Sequence, residues 1–320
     1  MNNIIRELDR SKKIYLISHI NPDGDSIGSL LALGTSLQYK YMNKIVLLKS
    51  DAIPTKFNFL KNVDTLIDID NIGDIEEDSV LITLDCGDIF RIGEFYNYID
   101  KFKKIINIDH HVSNSGFGYI NIVESDSSST GEIVFNIIKE NNLKIDKNIA
   151  TALYTAISTD TGSFKYDNAK AETHRVVAEL LEFNIDKNQI IQEIYQNRSI
   201  EKTNIFIESL KGLEFYCNNN IGVIIITEKM MNNINASSQD TDGIVEFIRD
   251  IESVEVACVI KEINNSKVKI SLRSKKYLDV SEVAGVFNGG GHIRAAGCTI
   301  KENIDFAKEQ TLKEVIKRLR

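Results

Sequence analysis

The chain is poor in the features that mark membrane and secreted proteins. No stretch of 18 apolar residues occurs anywhere in its 320 residues, so no membrane span is expected. The N-terminal string MNNIIRELDRSKK has no apolar central segment, so no signal peptide is expected either. Only four cysteines occur, Cys86, Cys217, Cys258 and Cys298, and none forms a CxxC pair. In a chain of this size they read as reduced, mostly buried thiols of a cytoplasmic protein. Positive charge is not in excess: 38 basic against 46 acidic residues leave a net charge of −8. That argues against a nonspecific binder of long duplex nucleic acid, which needs a basic surface. It leaves room for a small anionic substrate, because bound divalent cations supply positive charge locally. Proline is limited to two residues and histidine to five.

The length points to two domains, since single cores stop growing near roughly 250–300 residues. In the first half, strands alternate with helices. Short apolar runs at 13–18, 45–48, 80–84 and 104–108 read as strands, and 26–41, 130–141 and 149–158 read as helices. This order predicts an α/β fold with a mostly parallel sheet flanked by helices over residues 1–185. A helix near 169–182 and a polar, mostly helical stretch follow, and residues 186–212 are expected to form a structured helical linker. From 213 to 320 the pattern is richer in strands, at 221–226, 254–261 and 267–272, with helices at 241–251, 281–287 and 305–319. A second, smaller α/β domain is expected there.

The scarce histidines are not scattered. His19 opens H-I-N-P-D-G-D, His110 and His111 follow Asp109, and His292 closes N-G-G-G-H; His174 alone stands apart, near the start of a helix. Three acidic strings begin where an expected strand ends: at His19, at Asp85 and at Asp109. In open α/β sheets, ligands bind beyond the carboxyl ends of the strands. One shared site is therefore expected from segments far apart in sequence. Each string also has a plainer reading. Asp25 or Ser26 could merely cap a helix, Asp85 could form a turn, and Asp160 with Gly162 could close a helix. Ser129-Thr130-Gly131-Glu132 fits a capping box better than a phosphate loop. Taken together, His19, Asp23, Asp25, Asp85, Asp109, His110, His111 and Asp160 offer oxygen and imidazole ligands without thiolate. Such a set favours Mn²⁺ or Mg²⁺ over structural Zn²⁺, with imidazole tilting it toward Mn²⁺. Two such ions about 3.5–4 Å apart suit in-line displacement at a phosphoryl group. Downstream, the three glycines at 289–291 can bring backbone close to an anion, and Arg273 at a strand end can grip a phosphate.

In this order and spacing, H-I-N-P-D-G-D-S-I-G (19–28), L-D-C-G-D (84–88), D-H-H (109–111) and S-T-D-T-G-S-F (158–164) resemble the four motifs of the DHH phosphoesterase family. The string G-G-G-H-I-R-A-A-G (289–297) resembles the signature of its DHH-associated C-terminal domain. The resemblance implies that His19, Asp23 and Asp85 hold one ion, and that Asp25, Asp85, His110 and Asp160 hold a second, with Asp85 bridging. It implies that His111 contacts the scissile phosphate and that Asp109 orients the histidines. Arg273, Gly289, Gly290, Gly291 and His292 would bind the substrate's terminal phosphate or nucleotide, in a domain that closes over the metal site. By size the chain resembles the family's oligoribonuclease branch. That implies Mn²⁺-dependent cleavage of very short single-stranded RNA, from dinucleotides to about pentamers, and dephosphorylation of 3'-phosphoadenosine 5'-phosphate to AMP. Other branches fit less well. The family's pyrophosphatases lack the G-G-G-H string, its single-strand exonucleases carry an added nucleic-acid-binding domain, and its cyclic-dinucleotide phosphodiesterases have membrane and sensor segments. Another phosphodiesterase of the family, a single-strand exonuclease or a linear- or cyclic-dinucleotide phosphodiesterase, stays open as the alternative. A nucleotide sensor without turnover would not need the intact ligand set. The resemblance leaves a homodimer open.

Overall fold

The computed structural model describes residues 2–264 and 266–319. The chain divides into two compact units, Met1–Asn197 and Arg198–Arg320, and the break falls inside the stretch expected as a helical linker.

The first unit runs α1 (Asn2–Arg10), β1 (Ile14–Ser18), α2 (Gly24–Tyr41), β2 (Ile45–Lys49), β3 (Ile67–Asp68), β4 (Val80–Leu84), β5 (Lys104–Asp109), β6 (Ile120–Val123), α3 (Thr130–Glu140), α4 (Lys147–Asp160), α5 (Ala171–Leu181) and α6 (Lys187–Ile191). Its six strands form one sheet in the order β3-β2-β1-β4-β5-β6, and every pairing is parallel. β1 and β4 are buried at every position because both faces of the sheet are covered. Ile14, Leu16, Ile82 and Ile106 pack beneath α2, α3 and α4, among Leu30, Leu31, Ile133 and Leu153. The alternate residues Tyr15, Ile17 and Leu81 face Ile92, Phe95 and Phe102 on the other side. Each such side chain contributes about 1.5–3 kcal/mol by leaving water. Carboxylates are therefore kept out of the middle of these strands and appear only where they end. β3 and β6 add to the strands expected from sequence. β3 spans two residues, and β6 alternates half-buried with exposed, so neither shows an apolar run.

The second unit runs α7 (Ile200–Leu210), β7 (Glu214–Tyr216), β8 (Ile221–Ile226), α8 (Glu228–Ile234), α9 (Ile244–Asp250), β9 (Val256–Asn264), β10 (Lys267–Ser274), α10 (Val280–Val286), β11 (Gly290–His292), β12 (Ala295–Ile300) and α11 (Ile304–Ile316). Its sheet has the order β11-β12-β10-β9-β8-β7, antiparallel except for the parallel pair β8 and β9. α9 starts later than the apolar pattern indicates because Gly243, at φ 96°, forms its cap. The glycine string forms one arm of a hairpin with a two-residue turn, with β11 pairing to β12 around Ile293 and Arg294. Among the described residues, no helix is long and apolar enough to cross a membrane.

Candidate metal centre

The strand register assembles the site. Ser18 pairs with Leu84, and Leu84 pairs with Ile108, so three neighbouring strands end in one row. The next residue of each, His19, Asp85 and Asp109, therefore lies side by side at the carboxyl edge, with strands about 4.8 Å apart; Asp109 still pairs with Val123 as the last residue of β5. Asp85 sits at φ 58° while its N–H donates to the Ile108 carbonyl at 3.0 Å. That left-handed conformation costs a non-glycine residue roughly 1–2 kcal/mol and is best tolerated by Asp and Asn. It directs the Asp85 carboxylate across the strand ends.

His19 Nε2 lies 3.3 Å from Asp85 Oδ2 and 3.7 Å from Asp23 Oδ1. His110 Nε2 lies 3.5 Å from Asp160 Oδ2, 3.7 Å from Asp85 Oδ1 and 3.8 Å from Asp25 Oδ2. Among the described residues these make three groups that could hold a metal ion: His19, Asp23 and Asp85; Asp25, His110 and Asp160; and Asp85, His110 and His111. Asp85 belongs to two of the three. His19 Nδ1 is 2.7 Å from the Ile20 carbonyl, which assigns a ring proton to Nδ1 and turns Nε2 toward Asp23 and Asp85.

Surrounding groups fix these side chains. Asp25 is buried and accepts the Thr130 and Gly131 N–H groups, at 2.7 and 2.8 Å, from the first turn of α3, as well as the Ser29 hydroxyl at 3.0 Å. The Thr130 hydroxyl donates to Asp85 Oδ1 at 3.0 Å. Asp109 is fully buried; one oxygen meets His111 Nδ1 at 2.7 Å and the other accepts Asn114 Nδ2 at 2.6 Å. Asp160 ends α4, and Gly162, Ser163 and Phe164 behind it all have positive φ, at 56°, 60° and 64°. Three consecutive left-handed residues are costly, and such strain concentrates at functional sites.

The acids crowd one another. Burial, then the charges of Asp85 and Asp160, push the Asp25 carboxyl well above the usual range. Burial, then Asp85 and Asp23, do the same to Asp160. Burial works against charge on His19, yet its bonds to Asp23 and Asp85 outweigh this and raise it to about 10. His111 is likewise opposed by burial but raised to about 9 by Asp109 and Asp85. Carboxylates that repel one another while facing neutral-capable imidazoles are a donor set suited to a hard divalent cation.

Three features depart from a reading of local sequence. The α2 cap is Asp23, whose carboxylate accepts the Ser26 N–H at 3.0 Å, and not Asp25 or Ser26. Asp23 is thus both cap and member of a donor group. Ser129 does cap α3, accepting the Glu132 N–H at 3.2 Å, but the Glu132 carboxylate turns to Ser128 and Thr173 instead of returning to Ser129. The same turn clasps Asp25, a role hidden because a helix start looks alike with or without a carboxylate above it. His174 is exposed, with its ring 5.8 Å from that of Phe164.

In the second unit, Arg273 pairs with Ala295, and Ala295 pairs with His292. Arg273 and His292 therefore share one row and one face of the sheet, two strands apart. Arg273 Nε donates to Glu246 at 3.0 Å and its Nη1 to the Leu272 carbonyl at 3.0 Å, partners that sequence reading missed. The Gly289 N–H donates to the Ala284 carbonyl at 2.9 Å. Gly291, at φ 144°, lies where a Cβ would meet the Ala295 carbonyl at 2.4 Å, so the hairpin itself requires this glycine.

The chain matches the model of the DHH family, N-terminal domain, over residues 13–157 and that of the DHHA1 domain over residues 220–320. It belongs to the DHH family of phosphate-ester hydrolases. Among its relatives is a bifunctional oligoribonuclease and PAP phosphatase NrnA of Thermus thermophilus, 30% identical over 96% of this chain and 90% of the relative. The protein of the same description from Bacillus subtilis is 24% identical over 93% and 92% of the two chains. Among solved structures, an exopolyphosphatase-related protein from Bacteroides fragilis superposes with a TM-score of 0.91 at 28% identity, covering 99% of this chain and 95% of its own.

Proposed function

We propose that the protein is a Mn²⁺-dependent phosphohydrolase with two ions. It cleaves very short oligoribonucleotides to mononucleotides and removes the 3'-phosphate of 3'-phosphoadenosine 5'-phosphate. The observation that carries this reading is Asp85, a buried carboxylate with one oxygen toward His19 and the other toward His110 and His111. Similarity to relatives described as oligoribonucleases and PAP phosphatases supports the substrate class.

In this reading His19, Asp23 and Asp85 hold one ion and Asp25, Asp85, His110 and Asp160 the other. Divalent ions held there supply Lewis acidity toward the phosphoryl oxygens and offset charge that builds up in the transition state. Asp109 steadies His111, whose imidazole hydrogen-bonds the scissile phosphate and carries a proton to the leaving oxygen. Arg273 and the strand from Gly290 to His292, with Gly289 before it, bind the substrate's terminal phosphate. Their shared row supports a role for Arg273 and His292 on one ligand.

The test is a substrate panel with purified protein in Mn²⁺, Mg²⁺ or chelator. Mononucleotide release from a 5'-phosphorylated dinucleotide and phosphate release from the adenosine bisphosphate are expected, fastest with Mn²⁺ and abolished by chelation. No turnover of either substrate with any ion would overturn the reading.

A further inference from the structure

The segment that follows Asp85 brings to the site a cation with no role so far. A 3-10 helical segment, Ile89–Lys101, begins a few residues after β4. It is pinned to the His19 loop, because the Ile20 N–H donates to the Arg91 carbonyl at 2.8 Å. Gly93 makes the approach feasible: at φ 64°, a Cβ there would come within 2.4 Å of Ile20 Cγ2. The result places Arg91 Nη2 3.2 Å from His19 Nδ1.

That contact leaves the guanidinium's other N–H groups without a protein partner among the described residues. His19 Nδ1 already lies 2.7 Å from the Ile20 carbonyl, a pure acceptor, so Nδ1 carries the proton. Two donors then face each other. Among the described residues, the His19 ring is the one side chain that Arg91 meets at hydrogen-bond distance, and no carboxylate pairs with it. Arg91 is exposed, and it stands one imidazole away from a group of carboxylates without being neutralised by them. Beside it, Phe90 is 65% exposed, with its ring 4.6 Å from that of the exposed Tyr96. An arginine with unused planar donors suits a phosphate, and an exposed aromatic face suits a base.

We propose that Arg91 and Phe90 form a nucleotide subsite at the rim of the acid cluster, where the guanidinium takes a substrate phosphate and the Phe90 ring stacks the adjoining base. The proposal rests on the phosphohydrolase reading for its substrate class. It adds binding residues from the first unit to those already drawn from the second. The subsite's donors are side-chain N–H groups, so it would take any nucleoside phosphate of either sugar and discriminate little between bases.

The test compares full-length wild-type protein with Arg91→Ala, Arg91→Gln, Arg91→Lys and Phe90→Ala. Steady-state kinetics on a 5'-phosphorylated dinucleotide are read beside calorimetric binding of AMP, inorganic phosphate and Mn²⁺. Arg91→Ala should raise the dinucleotide KM and the AMP Kd by about 10- to 100-fold, the scale of losing charged hydrogen bonds, while Mn²⁺ binding stays as in wild type. Arg91→Lys should recover part of the loss, because charge remains and the planar fork does not. Phe90→Ala should weaken AMP by about fivefold or more and leave inorganic phosphate unchanged. Should Arg91→Ala fail to fold, Arg91→Gln keeps the side-chain bulk and carries the same expectation. Unchanged AMP affinity in the Arg91 variants, or a loss confined to Mn²⁺ binding, overturns the subsite. A wild type that binds AMP through Arg91 but hydrolyses nothing overturns the catalytic reading and leaves the subsite standing.

Discussion

The two sheets have six strands each, yet they present their ends in opposite ways. In the first unit every strand runs parallel, so all carboxyl ends gather on one edge. His19, Asp85 and Asp109, far apart in sequence, emerge in one row with their charges beyond a fully buried core. In the second unit the strands are mostly antiparallel, and neighbouring ends point to opposite edges. Its candidate residues, Arg273 and His292, come together across the width of the sheet instead, through a register that leaves only Ala295 between them. A parallel edge concentrates many acids at one point, which suits multivalent cation binding. An antiparallel face spaces a few donors apart, which suits gripping one extended anion.

The sharpest test of this contrast is Asp85→Asn. Asparagine tolerates φ 58°, so the fold should survive. Removing the charge shared by two donor groups should lower kcat by about 1,000-fold or more and reduce the number of Mn²⁺ ions bound, read by kinetics and calorimetry. Arg273→Ala and His292→Ala should behave differently. Each is expected to raise KM by about 10-fold or more, with Mn²⁺ binding intact. Loss of metal in either would break the division of labour between the sheets.

The smallest effect expected is on stability against pH. His19 is raised to about 10 in the folded, metal-free protein, so its stabilisation is complete below the usual histidine value and lost as pH rises through about 10. Asp25 and Asp160 are also raised, so folding retains protons that the unfolded chain releases, and stability again falls as pH rises. The melting temperature of metal-free protein should therefore drop by a few degrees between about pH 6 and pH 10. Saturating Mn²⁺ should flatten that slope, since the cation replaces the protons. A slope of the opposite sign would show that the first unit's acids do not crowd as described.

Much of the first unit is legible in the sequence because its signals are local. The buried runs at β1, β4 and β5 are continuous, and each stops at a charged residue, since burying an unpaired charge is prohibitive. β6 and β12 escape such a reading because half-buried strands lack a run. The clasp of Thr130 and Gly131 on Asp25 escapes it because its partners are 105 and 106 residues apart. The α2 cap is ambiguous in sequence because Asp23, Asp25 and Ser26 all suit the same turn, and only backbone geometry selects Asp23.

By itself the sequence determined which residue types are available for chemistry, and that they sit at strand ends, because hydrophobic periodicity and the cost of buried charge act over a few residues. Tertiary structure alone decided who meets whom. Strand register brought Asp85 between His19 and His110, the turn before α3 oriented Asp25, a hairpin put His292 in line with Arg273, and Gly93 let Arg91 approach His19. These outcomes depend on pairings across tens of residues, where close packing selects one geometry that no local pattern encodes.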